Sequence, residues 1–137
     1  MAQARAINRY IGSSPRKMRL VIDLIRGKSV PEALNILHFS PQAPAKVAEK
    51  VLRSAVSNFQ NKEDEGRTDV ESLFVKEAFV DPGPSMKRVL PAPMGRAFRI
   101  QKRSNHVTIV VDKKAGPVKK TPPAPAPKAT KKTTKEE

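Results

Sequence analysis

The spacing of apolar residues predicts a first helix near the start of the chain. Ser14-Pro15 is a typical helix start, and Gly27 is a typical stop. Between them, apolar residues recur three and four positions apart, which places them on one helix face: Met18, Val21, Ile22 and Ile25. The opposite face of this helix carries the charged residues Arg16, Arg19, Asp23 and Arg26.

Two further helices follow. The segment Ser29-Val-Pro-Glu32 has the form of a capping box, and the helix that it opens is expected to end before Pro41. A third helix is predicted from about Pro44 to Asn61, where a wide apolar stripe consists of Val47, Ala48, Val51, Leu52, Ala55, Val56 and Phe59. This helix is expected to be the main one over a sheet.

Three segments have the composition of strands. Ala2–Ile11 alternates, with Ile7, Arg9 and Ile11 on one side and Tyr10 among the residues of the other. Val70–Asp81 and Arg103–Asp112 are rich in β-branched and aromatic residues, and they are expected to pair antiparallel.

The segment 82–102, called the arm below, joins the last two predicted strands and contains 21 residues. Hairpin loops usually contain two to five residues, so the simplest interpretation is an extended two-limbed arm. Ten residues per limb at about 3.3 Å each would reach on the order of 30 Å. A mobile, solvated loop is the alternative.

Length and composition are consistent with one folded domain, residues 1–111, followed by a Pro/Lys-rich tail, residues 112–137. The tail has a single Val and can bury almost no apolar surface, so we expect it to be disordered. Either a polybasic arm on nucleic acid or a solubilising extension would explain its composition.

The positive charge is unevenly distributed. The chain of 137 residues has 27 Lys and Arg against 13 Asp and Glu, a net charge of +14. The acid-free stretch Pro82–Arg103 carries +6, the tail +5 and the rest only +3. Such an excess predicts a polyanion as partner, nucleic acid before anionic membrane. No apolar run is long enough to span a membrane, and the N-terminus lacks an apolar signal core.

Basic side chains also occupy the first turns of the first helix, where the helix dipole disfavours them by about 0.3 to 1 kcal/mol. A phosphate bound by Arg16, Lys17 and Arg19 would reverse that effect. Alternatively, Arg19 pairs with Asp23 at i, i+4 and the others are solvated. Residue patterns alone leave both interpretations open.

Patterns typical of enzymes are incomplete in this chain. Gly27-Lys28-Ser29 resembles the end of a phosphate-binding loop, but Ile22 stands where that loop needs glycine. The two histidines, His38 and His106, have no acid at ligand spacing and the chain has no cysteine, so no metal site is predicted. The acids Glu63, Asp64 and Glu65 lie in a polar segment without an apolar environment. We expect no enzyme activity, no catalytic residue and no cofactor.

Three blocks in order, SPRKMRLVIDLIRGKSVPEALNIL, LFVKEAFVDPGPSMKR and GRAFRIQKRSNHVTIVV, resemble the large-subunit ribosomal protein twenty-two family of bacterial type. The resemblance covers about residues 3 to 111. It implies an α+β fold, with three helices packed on a small three-stranded antiparallel sheet that carries a long protruding β-hairpin. It also implies a structural, cytoplasmic protein of the large ribosomal subunit.

The same resemblance implies partners and site residues. The partners are 23S ribosomal RNA, the nascent polypeptide in the exit tunnel and neighbouring large-subunit proteins; neither a membrane nor a homo-oligomer is expected, and a role in assembly is implied. The implied RNA contacts are Arg5, Arg9, Arg16, Lys17, Arg19, Lys87, Arg88, Arg96, Arg99, Lys102 and Arg103. The implied tunnel-lining residues are Met86, Lys87, Arg88, Val89, Leu90, Pro91, Ala92, Pro93, Met94 and Gly95.

The tip of the arm departs from the family pattern. Similar proteins carry several arginines there, whereas Val89 to Met94 is almost wholly apolar in this chain. A basic β-arm with an apolar, Pro-containing tip also fits a DNA architectural protein, whose tip would enter the minor groove. That alternative accounts only for the arm, while the resemblance accounts for most of the chain.

Overall fold

A computed structural model describes residues 3–62 and 69–113. The elements follow in the order β1 (Gln3–Ile11), α1 (Pro15–Ile25), α2 (Val30–Phe39), α3 (Ala43–Lys62), β2 (Leu73–Pro91) and β3 (Ala97–Lys113), with 3-10 turns at Val70–Ser72 and Pro93–Gly95. The acids Glu63, Asp64 and Glu65 and the tail from residue 114 lie outside the described residues. The predicted α+β class is confirmed.

The sheet is antiparallel in the order β1-β3-β2, so β3 lies in its centre. The helices cover one face, where Ala6, Ile109 and Ala78 lie side by side in adjacent strands and are all buried. The opposite face carries no helix. Its central positions are Ile7, Thr108 and Phe79, of which Ile7 and Phe79 are partly exposed.

The helical periodicity seen in the sequence decides which residues are buried. Every predicted apolar position of α1 is fully buried, and Gly27 ends that helix with a left-handed φ of 75°. On α3 the predicted stripe is buried except at Val47, which is partly buried. The core against the sheet consists mainly of Met18, Ile22, Ile25, Leu37, Leu52, Phe59, Leu73, Val75, Val107 and Ile109.

The strand alternation predicted for β1 is wrong after Asn8. Asn8 pairs with Val107 and Ile11 with Asn105, so β1 has one more residue than β3 in this interval. Tyr10 takes up the extra residue with a φ of 58°. As a result Ile7 lies on the helix-free face, whereas Ile11 packs against the core.

The capping box predicted at the start of α2 does not form. Ser29 makes no side-chain cap hydrogen bond, and its backbone instead forms a β-bridge with Phe74. The Glu32 carboxylate accepts a hydrogen bond from Lys28 Nζ, so it does not reach back to the Ser29 backbone.

The last strand extends beyond the predicted domain end. Asp112 pairs with Gln3 and Phe74, is buried, and binds Lys76 Nζ at 2.9 Å, and Lys113 completes β3. The first two residues of the predicted tail therefore belong to the sheet. At the same end of the sheet, β2 begins at Leu73, opposite Lys113, directly after the 3-10 turn Val70–Ser72.

Candidate nucleic-acid interface

The arm is a two-stranded ribbon that continues the sheet. Beyond the core, β2 and β3 stay paired from Ser85–Arg103 to Pro91–Ala97. The Ala92 N–H donates to the Arg96 carbonyl at 2.9 Å and closes the tip. Met94 and Gly95 have φ values of 62° and 70°, and the Met94 side chain is 93% exposed. The expected extended arm is present in the structure, and its turn carries an apolar side chain outward.

The cross-strand register divides the arm into two faces, because opposite residues of an antiparallel pair share a face. The mixed face consists of Met86, Arg88, Leu90, Phe98, Ile100 and Lys102. The basic face consists of Ser85, Lys87, Val89, Arg99, Gln101 and Arg103. Arg96 lies at the turn. Both faces are thus positively charged, and only the mixed face has a run of large apolar side chains.

The five basic residues of the arm and Arg103, which follows it directly, have exposed side chains and no ionic partner within the described residues. None forms a salt bridge to another residue within 3–62 or 69–113. Arg88 donates only to the Lys87 carbonyl at 2.9 Å and to Met86 Sδ at 3.5 Å. Like charges this close repel one another, so a polyanion against the arm would lower its free energy.

A β-bulge at the root sets the direction of the arm. Pro82 pairs with Asn105 and Ser85 with Arg103, which leaves one extra residue in β2. The Ser104 hydroxyl donates to the Pro84 carbonyl at 2.6 Å across this bulge. Gly83 is one of the bulge residues and lies close to the Ser104 hydroxyl. A Cβ at position 83 would be 2.5 Å from Ser104 Oγ.

We expect Gly83→Val to lower the free energy of unfolding by about 1 to 3 kcal/mol, because the side chain must displace Ser104 and break its hydrogen bond. Denaturant unfolding followed by circular dichroism measures this change. Gly12→Val is the matched control, since a Cβ at Gly12 meets no atom within 4 Å. Equal midpoints for the two variants would contradict the expectation.

The basic residues of α1 divide into two groups. Arg16 and Lys17 are exposed at the start of the helix. Arg19 instead turns to the sheet, where its Nε and Nη2 donate to the Val80 carbonyl at 3.3 and 3.1 Å. Of the two alternatives left open for Arg19, the pair with Asp23 is wrong, because Asp23 binds Arg26 at 3.0 Å.

Arg26 makes the same kind of contact as Arg19, two residues earlier on β2. Its Nε and Nη2 donate to the Ala78 carbonyl at 3.2 and 2.8 Å. The guanidinium groups of Arg19 in α1 and of Arg26 directly after α1 therefore bind successive outward carbonyls of the edge strand β2. They cover an edge that would otherwise be open to pairing with another strand. The sequence contains no signal for this role.

Arg5 and Arg9 lie apart from α1, on the helix-free side of the sheet. Together with Ile7, Tyr10, Asp81, His106 and Thr108 they line a shallow hollow of about 290 Å³. His106 Nδ1 accepts the Tyr10 N–H at 2.9 Å, and the two rings meet edge to face at 4.9 Å. His106 therefore supports the bulge of β1. Within the described residues, no group of three or more His, Asp or Glu is placed to hold a metal ion.

Lys17, Lys102 and Arg103 are brought together by the fold. They line a cleft of about 750 Å³ between the end of β1, the start of α3 and the root of the arm, called the root cleft below. The buried Asn105 holds Ser13 in place at the rim of the root cleft. Its side-chain Nδ2 donates to the Ser13 carbonyl at 2.7 Å and to Ser13 Oγ at 2.8 Å. Sequence reasoning missed Tyr10, Ser13 and Pro44 as neighbours of these cations, because no local pattern connects residues so far apart in the chain.

Comparison with known proteins gives the family. The model of the family Ribosomal protein L22p/L17e matches residues 6–112. The chain belongs to this family. The large ribosomal subunit protein uL22 of Chlorobaculum tepidum is 56% identical over 111 residues, which are 81% of this chain and 93% of the relative. The uL22 protein of Desulfitobacterium hafniense strain DCB-2 is 51% identical over 117 residues, or 85% of this chain and 100% of the relative.

Proteins of the L22p/L17e family are structural constituents of the large subunit of the cytoplasmic ribosome, and they are not enzymes. The family assignment predicted from the three sequence blocks is thus confirmed. No helix in the described ranges is long and apolar enough to cross a membrane.

Proposed function

We propose that this protein binds 23S ribosomal RNA of the large subunit, promotes assembly of that subunit, and places the tip of its arm in the wall of the nascent-peptide exit tunnel. The observation that carries the proposal is the arm itself. Together with Arg103, it is a paired ribbon with six basic residues, no acid and no contact that would neutralise it within the described chain.

The geometry of the arm supports insertion between RNA segments. An isolated two-stranded ribbon is marginally stable in water. Cations occur on the mixed face, on the basic face and at the turn, so phosphates on either side of the ribbon would find a partner. RNA of A-form is recognised mainly through its shape, its phosphates and its 2′-hydroxyl groups. An arm that joins several RNA segments would hold them together during assembly.

The RNA-binding surface that we propose extends from the arm to the domain. Lys17 lines the root cleft, Arg16 is exposed next to it at the start of α1, and Arg5 and Arg9 are exposed on the helix-free face. Arg19 has two of its nitrogens engaged with Val80, so we expect it to position α1 and to offer RNA only its remaining Nη1 group. Phosphate contacts at these places would orient the domain without reading base sequence.

The tip differs chemically from the limbs. From Val89 to Met94 no side chain is charged, and Met94 projects from the turn. We propose that Met86 to Gly95 borders the tunnel, and that the uncharged turn faces the nascent polypeptide. Neighbouring large-subunit proteins would then contact the domain, and a second copy of this chain is not expected as a partner.

Sedimentation of a cell lysate tests the ribosomal role. We expect the protein to migrate with large subunits and to leave them when the subunits are unfolded by removal of magnesium. Migration with chromosomal DNA would contradict the proposal and favour a DNA architectural role, which a basic arm with an apolar tip also fits.

Crosslinking tests the tunnel placement separately. Because the chain has no cysteine, Met94→Cys provides a single attachment point for a photoreactive group. We expect crosslinks from this position to a stalled nascent chain. A probe on Phe39→Cys, far from the arm in sequence and exposed on α2, is the negative control. Crosslinks absent from Met94→Cys, beside a positive control in the tunnel wall, would contradict the placement.

A further inference from the structure

The root cleft has the size of a small-molecule site. Its volume of about 750 Å³ falls within the range of about 300 to 1,000 Å³ that such sites occupy. It lies where β1 has ended and β3 continues into the arm, so Gln101 to Ser104 form one wall without a neighbouring strand on that side. The opposite wall is formed by Ser13, Ser14 and the start of α3.

The charge of the root cleft selects an anionic ligand. Lys17, Lys102 and Arg103 contribute three cations, and no acidic residue lines the cleft. None of the three forms a salt bridge with another described residue. Arginine and lysine are the side chains that most often bind phosphate.

The remaining surface of the root cleft is largely apolar and includes an aromatic ring. Tyr10 is 68% exposed, and its position at the β1 bulge is supported by the hydrogen bond from its N–H to His106 and by the edge-to-face contact of the two rings. Met86, Pro44 and Pro84 line the cleft as well. An exposed aromatic ring beside apolar side chains is a surface on which an unpaired base can stack.

We propose that the root cleft binds one unpaired nucleotide of RNA, with its base against Tyr10 and Met86 and its flanking phosphates at the cations along the cleft, which are Lys17 and, on opposite faces of the arm, Lys102 and Arg103. A base that is paired inside a helix cannot offer its face to a side chain, so the nucleotide must be in a loop or bulge. This inference rests on the proposed RNA-binding function and specifies where an irregular RNA element meets the protein.

Gly12→Phe provides a test that removes no charge. Gly12 lines the root cleft, its φ is negative, and a Cβ added there meets no atom within 4 Å. The phenyl ring would therefore occupy space that the base needs. Gly12→Ala is the matched control, because its methyl group leaves the cleft open. A second pair, Tyr10→Leu and Tyr10→Phe, removes or keeps the aromatic ring and remains informative if Gly12→Phe fails to fold.

The experiment measures binding of the full chain to 23S ribosomal RNA together with chemical probing of every base. With the wild-type protein we expect protection of one unpaired nucleotide. Gly12→Phe and Tyr10→Leu should weaken binding about tenfold, since loss of a stacked base costs about 1 to 3 kcal/mol. Both variants should also expose that same nucleotide. Gly12→Ala and Tyr10→Phe should behave as the wild type.

Two results would overturn the inference while leaving RNA binding intact: wild-type affinity in both Gly12→Phe and Tyr10→Leu, or weaker binding without any change at a single unpaired base. A wild-type protein that does not bind the RNA at all would overturn the proposed function itself. The two failures are therefore distinguishable.

Discussion

Replacement of the six basic residues of Pro82–Arg103, which are those of the arm and Arg103, by glutamine is expected to make the plot of log affinity for 23S ribosomal RNA against log salt concentration shallower by about 4 to 5 units. Each phosphate contact releases counterions and contributes about 0.7 to 0.9 to this slope. All six side chains are exposed and have no ionic partner within the described residues, so each is available to a phosphate. The residues changed are Lys87, Arg88, Arg96, Arg99, Lys102 and Arg103.

The C-terminal tail offers a control with the same change of net charge. Replacing six lysines of the tail by glutamine also removes six positive charges. The lysines replaced are Lys114, Lys119, Lys120, Lys128, Lys131 and Lys132. If the placement of the charges on a ribbon matters, the slope of log affinity against log salt concentration should become much shallower in the arm variant than in the tail variant. Equal losses would mean that binding follows the total charge of the chain, and an unchanged slope in the arm variant would mean that the arm contributes little to binding.

The largest expected effect on stability is that of Phe59→Ala, at about 3 to 5 kcal/mol of unfolding free energy. Among the described residues, Phe59 is the largest fully buried side chain, and it lies on the face of α3 that packs against the sheet. Its truncation removes apolar contacts and leaves a cavity that the surrounding helices and strands can fill only in part. Domains of this size are typically stable by 5 to 15 kcal/mol, so a loss of this magnitude is a large part of the total.

Phe39→Ala makes the same chemical change at a surface position, because Phe39 is 81% exposed at the end of α2. We expect it to change the unfolding free energy by less than about 0.5 kcal/mol. Urea denaturation of both variants measures the difference. Similar midpoints would show that α3 does not pack on the sheet through Phe59.

The helices and the approximate strand positions could be predicted from local patterns. The burial of Met18, Val21, Ile22 and Ile25 follows directly from their spacing, because a helix places residues three and four apart on one side. The predicted extents of α1 and α3 differ from the observed ones by only one or two residues at each end. Local patterns failed where a residue had two possible partners: Glu32 binds Lys28 in place of the Ser29 backbone, and Asp23 binds Arg26 in place of Arg19.

The candidate site could be predicted less completely. The arm was evident because 21 residues without an acid cannot form an ordinary hairpin loop. Its division into a mixed and a basic face depends on the register of β2 with β3, which the bulge at Gly83 shifts by one residue. The position of Tyr10 in the root cleft is supported by its hydrogen bond to His106, which is 96 positions away in the chain.

The sequence by itself determined the apolar face of each main helix and the concentration of charge in the arm, since these follow from residue type and short-range periodicity. The family and the α+β class were indicated by the resemblance of three sequence blocks to known proteins. The tertiary structure alone decided which cations lie exposed beside the arm and which, like Arg19 and Arg26, bind the edge of β2. It also decided the β1 bulge and the root cleft. The physical reason is that hydrogen-bond partners and strand register are set by which distant backbone groups come within about 3 Å, and no local repeat in the chain specifies that.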